Sequence, residues 1–401
     1  MKSYRANYIA LLISMSLAMI GFGISTPVIP LFLEEDIGVR DPVKLNLWVG
    51  LIQSSVYVTL AIFAPIWGHL ADRYSRRTML LRAMFGGAFA ISLMTFVNSP
   101  WQLLVLKCIQ GCLTGTVAAA TVLTASITPA AQLAFALGML QTMIAVGNSL
   151  GPLVGGLISD FFSHRAAFFS TGLVLALAAL IVLKWVDKDE IAYSEAKSKK
   201  LGLMPDMKPI TGSPQLIMVM LVTLGLYAAT NAATPMLPLF LKSLYVSETG
   251  APSYIASASG IVLGVGAAFT ALAAVLIGKV SSSIGYWRAM FLCFCFGAAL
   301  TVPQIFVTNV LQLTIFRALS SFFTGGVIPV INAIIAVSTD KEHQGTVFGF
   351  NYAVASAGCA MGPILGSATA MFSYRAIFLV SAIILGLSAL GTYKRWKQNS
   401  F

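Results

Sequence analysis

The chain has 401 residues, of which 58% are hydrophobic and 10% charged, and its formal net charge is +11. A soluble domain carries about 25% charged residues, so this composition excludes an ordinary water-soluble globule and points to a protein whose solvent is lipid. The positive charge does not indicate nucleic acid, because the Lys and Arg residues sit at the ends of apolar runs rather than on a basic surface interleaved with aromatics.

The first apolar run, about residues 6–33, follows Lys2 and Arg5. It is too long for the core of a secretory signal and lacks a small-residue cleavage site, so it is expected to stay as the first span. Runs long enough to cross a bilayer, roughly 20 residues each, follow at about 47–67, 79–97, 101–125, 133–159, 166–186, 214–241, 254–278, 287–307, 310–337, 346–371 and 375–393. The expected fold is all-α and integral to the membrane, with twelve transmembrane helices in two pseudo-symmetric six-helix bundles. The N-terminal bundle covers 1–186, a polar linker 187–213 and the C-terminal bundle 214–401. The linker holds Lys188, Lys197, Lys199, Lys200 and Lys208 with Pro205 and Pro209.

Basic residues crowd on the side of both termini and the linker, where Arg73, Arg76, Arg77, Arg82, Lys184, Lys279, Arg288 and Lys341 also fall. Only Arg40, Lys44, Arg165, Lys242 and Arg375 fall on the other side. The positive-inside rule then places both termini in the cytoplasm, and short loops suggest a bacterial inner membrane. The five cysteines all lie in apolar runs with no metal-ligand or redox spacing, so neither a metal nor another cofactor is expected.

The chain also repeats itself. Thr26-Pro27-Val28-Ile29-Pro30-Leu31-Phe32-Leu33 reappears as Thr234-Pro235-Met236-Leu237-Pro238-Leu239-Phe240-Leu241, an offset of 208 residues. Gly151-Pro152 returns as Gly362-Pro363 at 211, and Arg165-Ala166-Ala167-Phe168 as Arg375-Ala376-Ile377-Phe378 at 210. Two homologous bundles with a site between them is how a carrier is built.

Between spans 2 and 3 the chain reads Gly68-His69-Leu70-Ala71-Asp72-Arg73-Tyr74-Ser75-Arg76-Arg77. Span 5 reads Gly147-Asn148-Ser149-Leu150-Gly151-Pro152-Leu153-Val154-Gly155-Gly156, and Gly147, Gly151 and Gly155 share one helix face where backbones can approach closely. Pro152 weakens the helix and permits a kink. Span 11 repeats the pattern with Gly358, Gly362, Pro363 and Gly366, and span 8 carries Gly260 and Gly264. Span 4 carries Lys107-Cys108-Ile109-Gln110-Gly111.

These segments resemble the major facilitator superfamily over essentially the whole chain, and within it the twelve-span drug/proton antiporters. The resemblance implies a gating role for Gly68, Asp72, Arg73, Arg76 and Arg77, with Asp72 set against the positive end of a helix near Thr346. It implies rocking surfaces at Gly147, Gly151, Pro152, Gly155, Gly358, Gly362 and Pro363. The chain departs from the family pattern at Ser75, where glycine is usual, and at Lys107, where arginine is usual. Its second-half counterpart of the loop, Gly278 to Arg288, has lost the acid.

A basic residue at the bilayer centre costs about 2.5–3.5 kcal/mol on the insertion scale, so Lys107 and its repeat counterpart Arg317 are expected to face a cavity. No acid or histidine is expected firmly within a span. A lysine can lose its proton where an arginine cannot, which makes Lys107 a candidate carrier of a coupling proton. Glu34, Glu35 and Asp36 at the outer end of span 1 are the competing candidates. Polar residues at helical spacing nominate Gln53 and Tyr57 in span 2, Gln110 and Thr114 in span 4, Gln141 in span 5, Tyr227 and Asn231 in span 7, and Asn351 and Tyr352 in span 11 as substrate contacts.

The reading that follows is a monomeric secondary transporter that exports small amphipathic or drug-like molecules by alternating access and proton antiport. Its partners are a small-molecule solute, protons and the lipid bilayer. The alternative is export of one anionic metabolite, siderophore or lipid, which two basic residues and no buried acid would suit. An enzyme is disfavoured, since the spans hold no acid or histidine to pair with a nucleophile and no phosphate-binding Gly-Lys-Thr loop. A membrane receptor is the remaining, less favoured alternative.

Overall fold

The computed structural model describes residues 4–71, 75–129, 132–187, 212–246, 254–340 and 343–399. Among them twelve helical stretches are long and apolar enough to cross a membrane: Arg5–Asp36, Pro42–Ala64, Arg76–Phe96, Pro100–Ile127, Phe135–Phe161, His164–Trp185, Pro214–Tyr245, Ile255–Ile284, Tyr286–Ile305, Val310–Ser338, Gln344–Ala370 and Tyr374–Lys397. They are spans 1–12 below, and each coincides with one expected run. Helices are the form these segments must take, because lipid offers no partner for a free backbone N–H or C=O. No strand occurs among the described residues. Asp72 and Arg73 of the loop signature, and residues 188–211 of the linker, lie outside them.

Local sequence explains the interruptions. In span 1 the helix Tyr4–Ile24 gives way to a short helix, Val28–Leu31, and then to a π-helical turn, Phe32–Asp36. Pro27 and Pro30 lack the N–H that would continue the ladder. The repeated motif does the same in span 7, where Pro214–Ala233 passes through a 3₁₀ turn, Thr234–Met236, into Leu237–Val246.

The helix starts repeat too. Ser99 accepts a hydrogen bond from Gln102 N at the head of span 4, while Gln102 Oε1 accepts one from Asn98 N. Asn309 and Gln312 do the same at the head of span 10, with Gln312 N on Asn309 Oδ1 at 2.9 Å and Thr308 N on Gln312 Oε1 at 3.0 Å. Each cap satisfies amides that the helix itself leaves without partners.

The chain forms two compact units. The first joins Met1–Val39, Ser55–Leu201 and Ser253–Gly264; the second joins Arg40–Ser54, Gly202–Pro252 and Val265–Phe401. Each therefore contains most of one repeat and a short segment of the other. In the first unit Phe32 and Phe168 meet edge to face, ring centroids 5.1 Å apart. In the second, Phe240 and Phe378 form the equivalent pair at 5.1 Å. All four rings are fully buried. The repeat is thus a repeat of packing as well as of letters. The second unit's core continues through Leu226, Met290, Phe294, Ile331 and Leu385.

Candidate functional site

Span 4 carries the first group of polar residues. Lys107 is 3% exposed, and none of the described residues accepts a hydrogen bond from its Nζ. One turn on, Gln110 is buried and its Oε1 has no partner. Gly111 faces span 2 so closely that a Cβ there would meet Thr59 Oγ1 and lie 3.0 Å from Val56 Cα. Thr114, also buried, ends the helix Pro100–Leu113, and a new helix, Thr116–Ile127, begins after Gly115 at φ 130°. That φ is one that L side chains rarely adopt. Tyr57 of span 2 is half-buried in the same unit, whereas Gln53 falls in the other unit although one helix carries both. Gln141 of span 5 is exposed.

The second group belongs to spans 7, 10 and 11. Arg317 differs from its counterpart Lys107 in being held by protein: its Nη2 donates to Thr234 Oγ1 at 3.1 Å and to Thr230 O at 3.4 Å. Thr234 opens the 3₁₀ turn that interrupts span 7, and its hydroxyl also donates to Thr230 O at 3.0 Å. Thr223 Oγ1 donates to Asn351 Oδ1 at 2.9 Å. Asn231 Nδ2 donates to Tyr227 O at 2.8 Å and approaches Cys359 Sγ at 3.6 Å. Thus Asn231 and Asn351 tie span 7 to span 11. Tyr227 is half-buried, and Tyr352 is 50% exposed.

The glycine faces have definite partners. Gly147, Gly151 and Gly155 lie against span 1, and Gly358, Gly362 and Gly366 against span 7. Pro152 and Pro363 lie inside unbroken helices. A different contact joins spans 5 and 8. Gly156 abuts Ala256, Gly260 abuts Pro152 and Leu153, and Ser149 Oγ donates to Gly264 O at 2.8 Å. At its end Asp160 accepts hydrogen bonds from Ala256 N at 3.2 Å and Ser257 N at 2.6 Å. A carboxylate thus caps the start of span 8, where the helix dipole favours negative charge. Sequence reasoning placed an acid against a helix start at Asp72 and missed Asp160; the adjoining Gly156 was its only signal. Removing a cap of this kind costs about 0.5–2 kcal/mol. Asp160→Ala should therefore speed hydrogen exchange at the Ala256 and Ser257 amides while leaving span 5 protected. Unchanged exchange there would show that the cap adds nothing.

Of the other gating candidates, Gly68 lies in the helix Pro42–Ala71, and Arg76 opens the next helix. Arg77 donates through Nε to Val182 O at 3.4 Å and through Nη2 to Leu183 O. It places a cation on the last carbonyls of span 6, where the dipole favours one. The competing acids gather at the opposite end of the same unit. The π-helical turn carries Glu34, Glu35 and Asp36; His164 Nδ1 lies 2.6 Å from Asp36 Oδ2, and His164 Nε2 lies 3.9 Å from Glu35 Oε2. Arg165 Nε lies 3.6 Å from Asp36 Oδ1, and its Nη1 donates to Thr95 O at 2.6 Å. These acids join the end of span 1 to the start of span 6 and are far along the chain from Lys107.

No group of three or more His, Cys, Asp or Glu side chains is placed to hold a metal among the described residues.

Residues 11–307 and 256–398 match the family model described as Major Facilitator Superfamily. The multidrug resistance protein MdtG of Escherichia coli (strain K12 / DH10B) is 30% identical over 398 residues, which cover 99% of this chain and 96% of that protein. A bacterial homologue of the human lysosomal transporter Spinster, in an inward-facing and occupied conformation, superposes with a TM-score of 0.81 at 13% identity, over 99% of this chain and 98% of that one. The nucleoside transporter NupG does so with a TM-score of 0.79 at 16% identity, over 97% and 99%. The human organic anion transporter MFSD10 (TETRAN) reaches 0.70 at 17% identity, over 98% and 100%.

Proposed function

This chain belongs to the major facilitator superfamily and is a membrane transporter of small molecules, and from that premise we propose that it exports amphipathic, drug-like solutes by proton antiport. The observation that carries the proposal is similarity along the full length to a protein named for multidrug resistance. Alternating access about a central site is the mode that duplicated bundles support. In this reading Lys107, Gln110, Thr114, Gln53, Tyr57 and Gln141 contact the solute, as do Arg317, Tyr227, Asn231, Asn351 and Tyr352. Lys107 carries the coupling proton, as a buried ammonium without a described acceptor is suited to do. The single chain works alone, with its termini in the cytoplasm of a bacterium.

A second reading, export of an organic anion, is favoured by one observation: Lys107 and Arg317 occupy matching places in spans 4 and 10. Proteoliposomes loaded with a fluorescent cationic dye separate the two. Under the first reading an inward proton gradient drives the dye out, without ATP, and other drug-like cations compete. If the dye is not moved and a labelled organic anion is, the second reading stands. If a proton gradient moves neither class, proton antiport is wrong.

A further inference from the structure

The interruption of span 4 at Gly115 has surroundings that the transport reading does not use. Breaking the helix between Leu113 and Thr116 costs two sets of hydrogen bonds, and the neighbourhood answers only one of them. Cys112 O, which would have accepted from Thr116 N in a continuous helix, instead accepts from Trp67 Nε1 at 2.6 Å. The first amides of the new helix Thr116–Ile127 receive no side-chain cap. Thr116 itself is 3% exposed, and its hydroxyl has no hydrogen-bond partner.

Facing this helix start is Arg82 of span 3. Its guanidinium carbon lies over the Trp67 ring, 3.4 Å from the centroid. Its Nη2 lies 4.0 Å from where a Cβ on Gly115 would stand. Its Nε and Nη1 are both buried and without partners. Leaving two buried N–H groups of this half-buried, permanently charged arginine unpaired is costly, because their desolvation is not repaid. Among the described residues no acid reaches it.

The repeat supplies an independent argument. At an offset of 210, Arg82, Trp67 and Thr116 correspond to Leu292, Ile277 and Gly326. Span 10, the counterpart of span 4, runs without a break from Val310 to Ser338. The arginine, the indole, the hydroxyl and the helix break are therefore all present in one half and all absent from the other. If the break were merely a property of the fold, it would not be expected to vanish together with the arginine.

We propose that Arg82, Thr116 and the amides at the start of Thr116–Ile127 form a binding site for one phosphate-type oxyanion. A helix start is a ready anion site. An unpartnered N–H of an arginine can donate a charge-assisted hydrogen bond to a phosphate oxygen. The oxyanion has two possible sources, an acidic lipid headgroup or a phosphate in solution. Arg82 lies six residues into its helix, about 9 Å along the axis, which is within reach of either. The site is independent of which solute the protein carries.

The test uses the full-length protein and does not measure transport. In one arm, thermal unfolding in neutral detergent is followed against sodium phosphate, with sodium chloride holding ionic strength constant. In the other, unfolding is compared in phosphatidylcholine nanodiscs with and without phosphatidylglycerol. Wild type should be stabilised saturably in one arm, and that arm identifies the source. Arg82→Gln should not respond, and Thr116→Val should fold normally and bind about tenfold more weakly, the loss expected for one hydrogen bond to a charged group. If Arg82→Gln does not fold, Arg82→Lys takes its place, keeping the charge but losing the guanidinium N–H groups. Should wild type respond in neither arm, or should Thr116→Val and the Arg82 variant respond as wild type does, water alone fills the site and the proposal is overturned.

Discussion

Gly155→Leu is expected to leave almost no folded protein in the membrane, and Gly155→Ala to lower the unfolding temperature sharply. A Cβ at Gly155 would meet Ile24 O and stand 2.6 Å from Ile24 Cα and 2.7 Å from Ile24 C. All three are backbone atoms of span 1, so no side-chain rotation can relieve the clash. Overpacking a core with added methylenes costs about 1–3 kcal/mol even where neighbours can adjust, and here the adjustment must separate two helices. Whole-domain stability is only about 5–15 kcal/mol, so a leucine would consume much of it. Gly138→Leu on the same span is the matched control, since nothing lies within 4 Å of a Cβ there. Size-exclusion profiles and unfolding temperatures of the two variants check the expectation. If Gly155→Leu is as abundant and stable as Gly138→Leu, the close seating of span 5 on span 1 is wrong.

Lys107→Arg carries the second large expected effect, this time on transport rather than folding. For a one-proton exchange, each unit of pH difference across the membrane changes the attainable accumulation ratio about tenfold, the factor that one pH unit represents. Wild type in proteoliposomes should follow that slope. Arginine keeps the positive charge and the length of the side chain but does not release its proton. Lys107→Arg should therefore fold normally, exchange solute for solute, and lose the dependence on the gradient. A slope equal to wild type would remove Lys107 as the proton carrier. It would turn attention to Glu35, Asp36 and His164, whose side chains meet at the other end of the same unit.

Span positions and the internal repeat were legible in the sequence because both depend on local chemistry. Apolar length sets a span whatever its neighbours are. The paired caps at Ser99 and Asn309 and the paired breaks at Pro27 and Pro235 also act within a few residues of themselves. What faces what was less legible. The face formed by Gly147, Gly151 and Gly155 could be read from spacing, but the spacing does not say that span 1 is its partner. Gly156, one residue further on, points to span 8 instead. Asp160 reads as a loop acid until the start of span 8 is seen beside it. Arg82 reads as one more positive charge near the end of a span. Its stacking on Trp67 and the helix break at Gly115 arise from three different spans. Such pairings depend on tertiary packing, which helical periodicity does not encode.

The grouping of Ser253–Gly264 with the first unit bears on the order in which the protein can be made. A chain emerges from its N-terminus, and its parts fold as they become complete. The first repeat has left the ribosome once residue 186 is out, yet Asp160 and Gly156 meet Ala256 and Ser257 only after some seventy further residues have followed, a count read from these positions. Until then the C-terminal end of span 5 has no occupant for its small-residue surface and no amides for its carboxylate. Biogenesis of the first unit is thus obliged to wait on translation of the second repeat, and a ribosome stalled in the linker would hold an unfinished product.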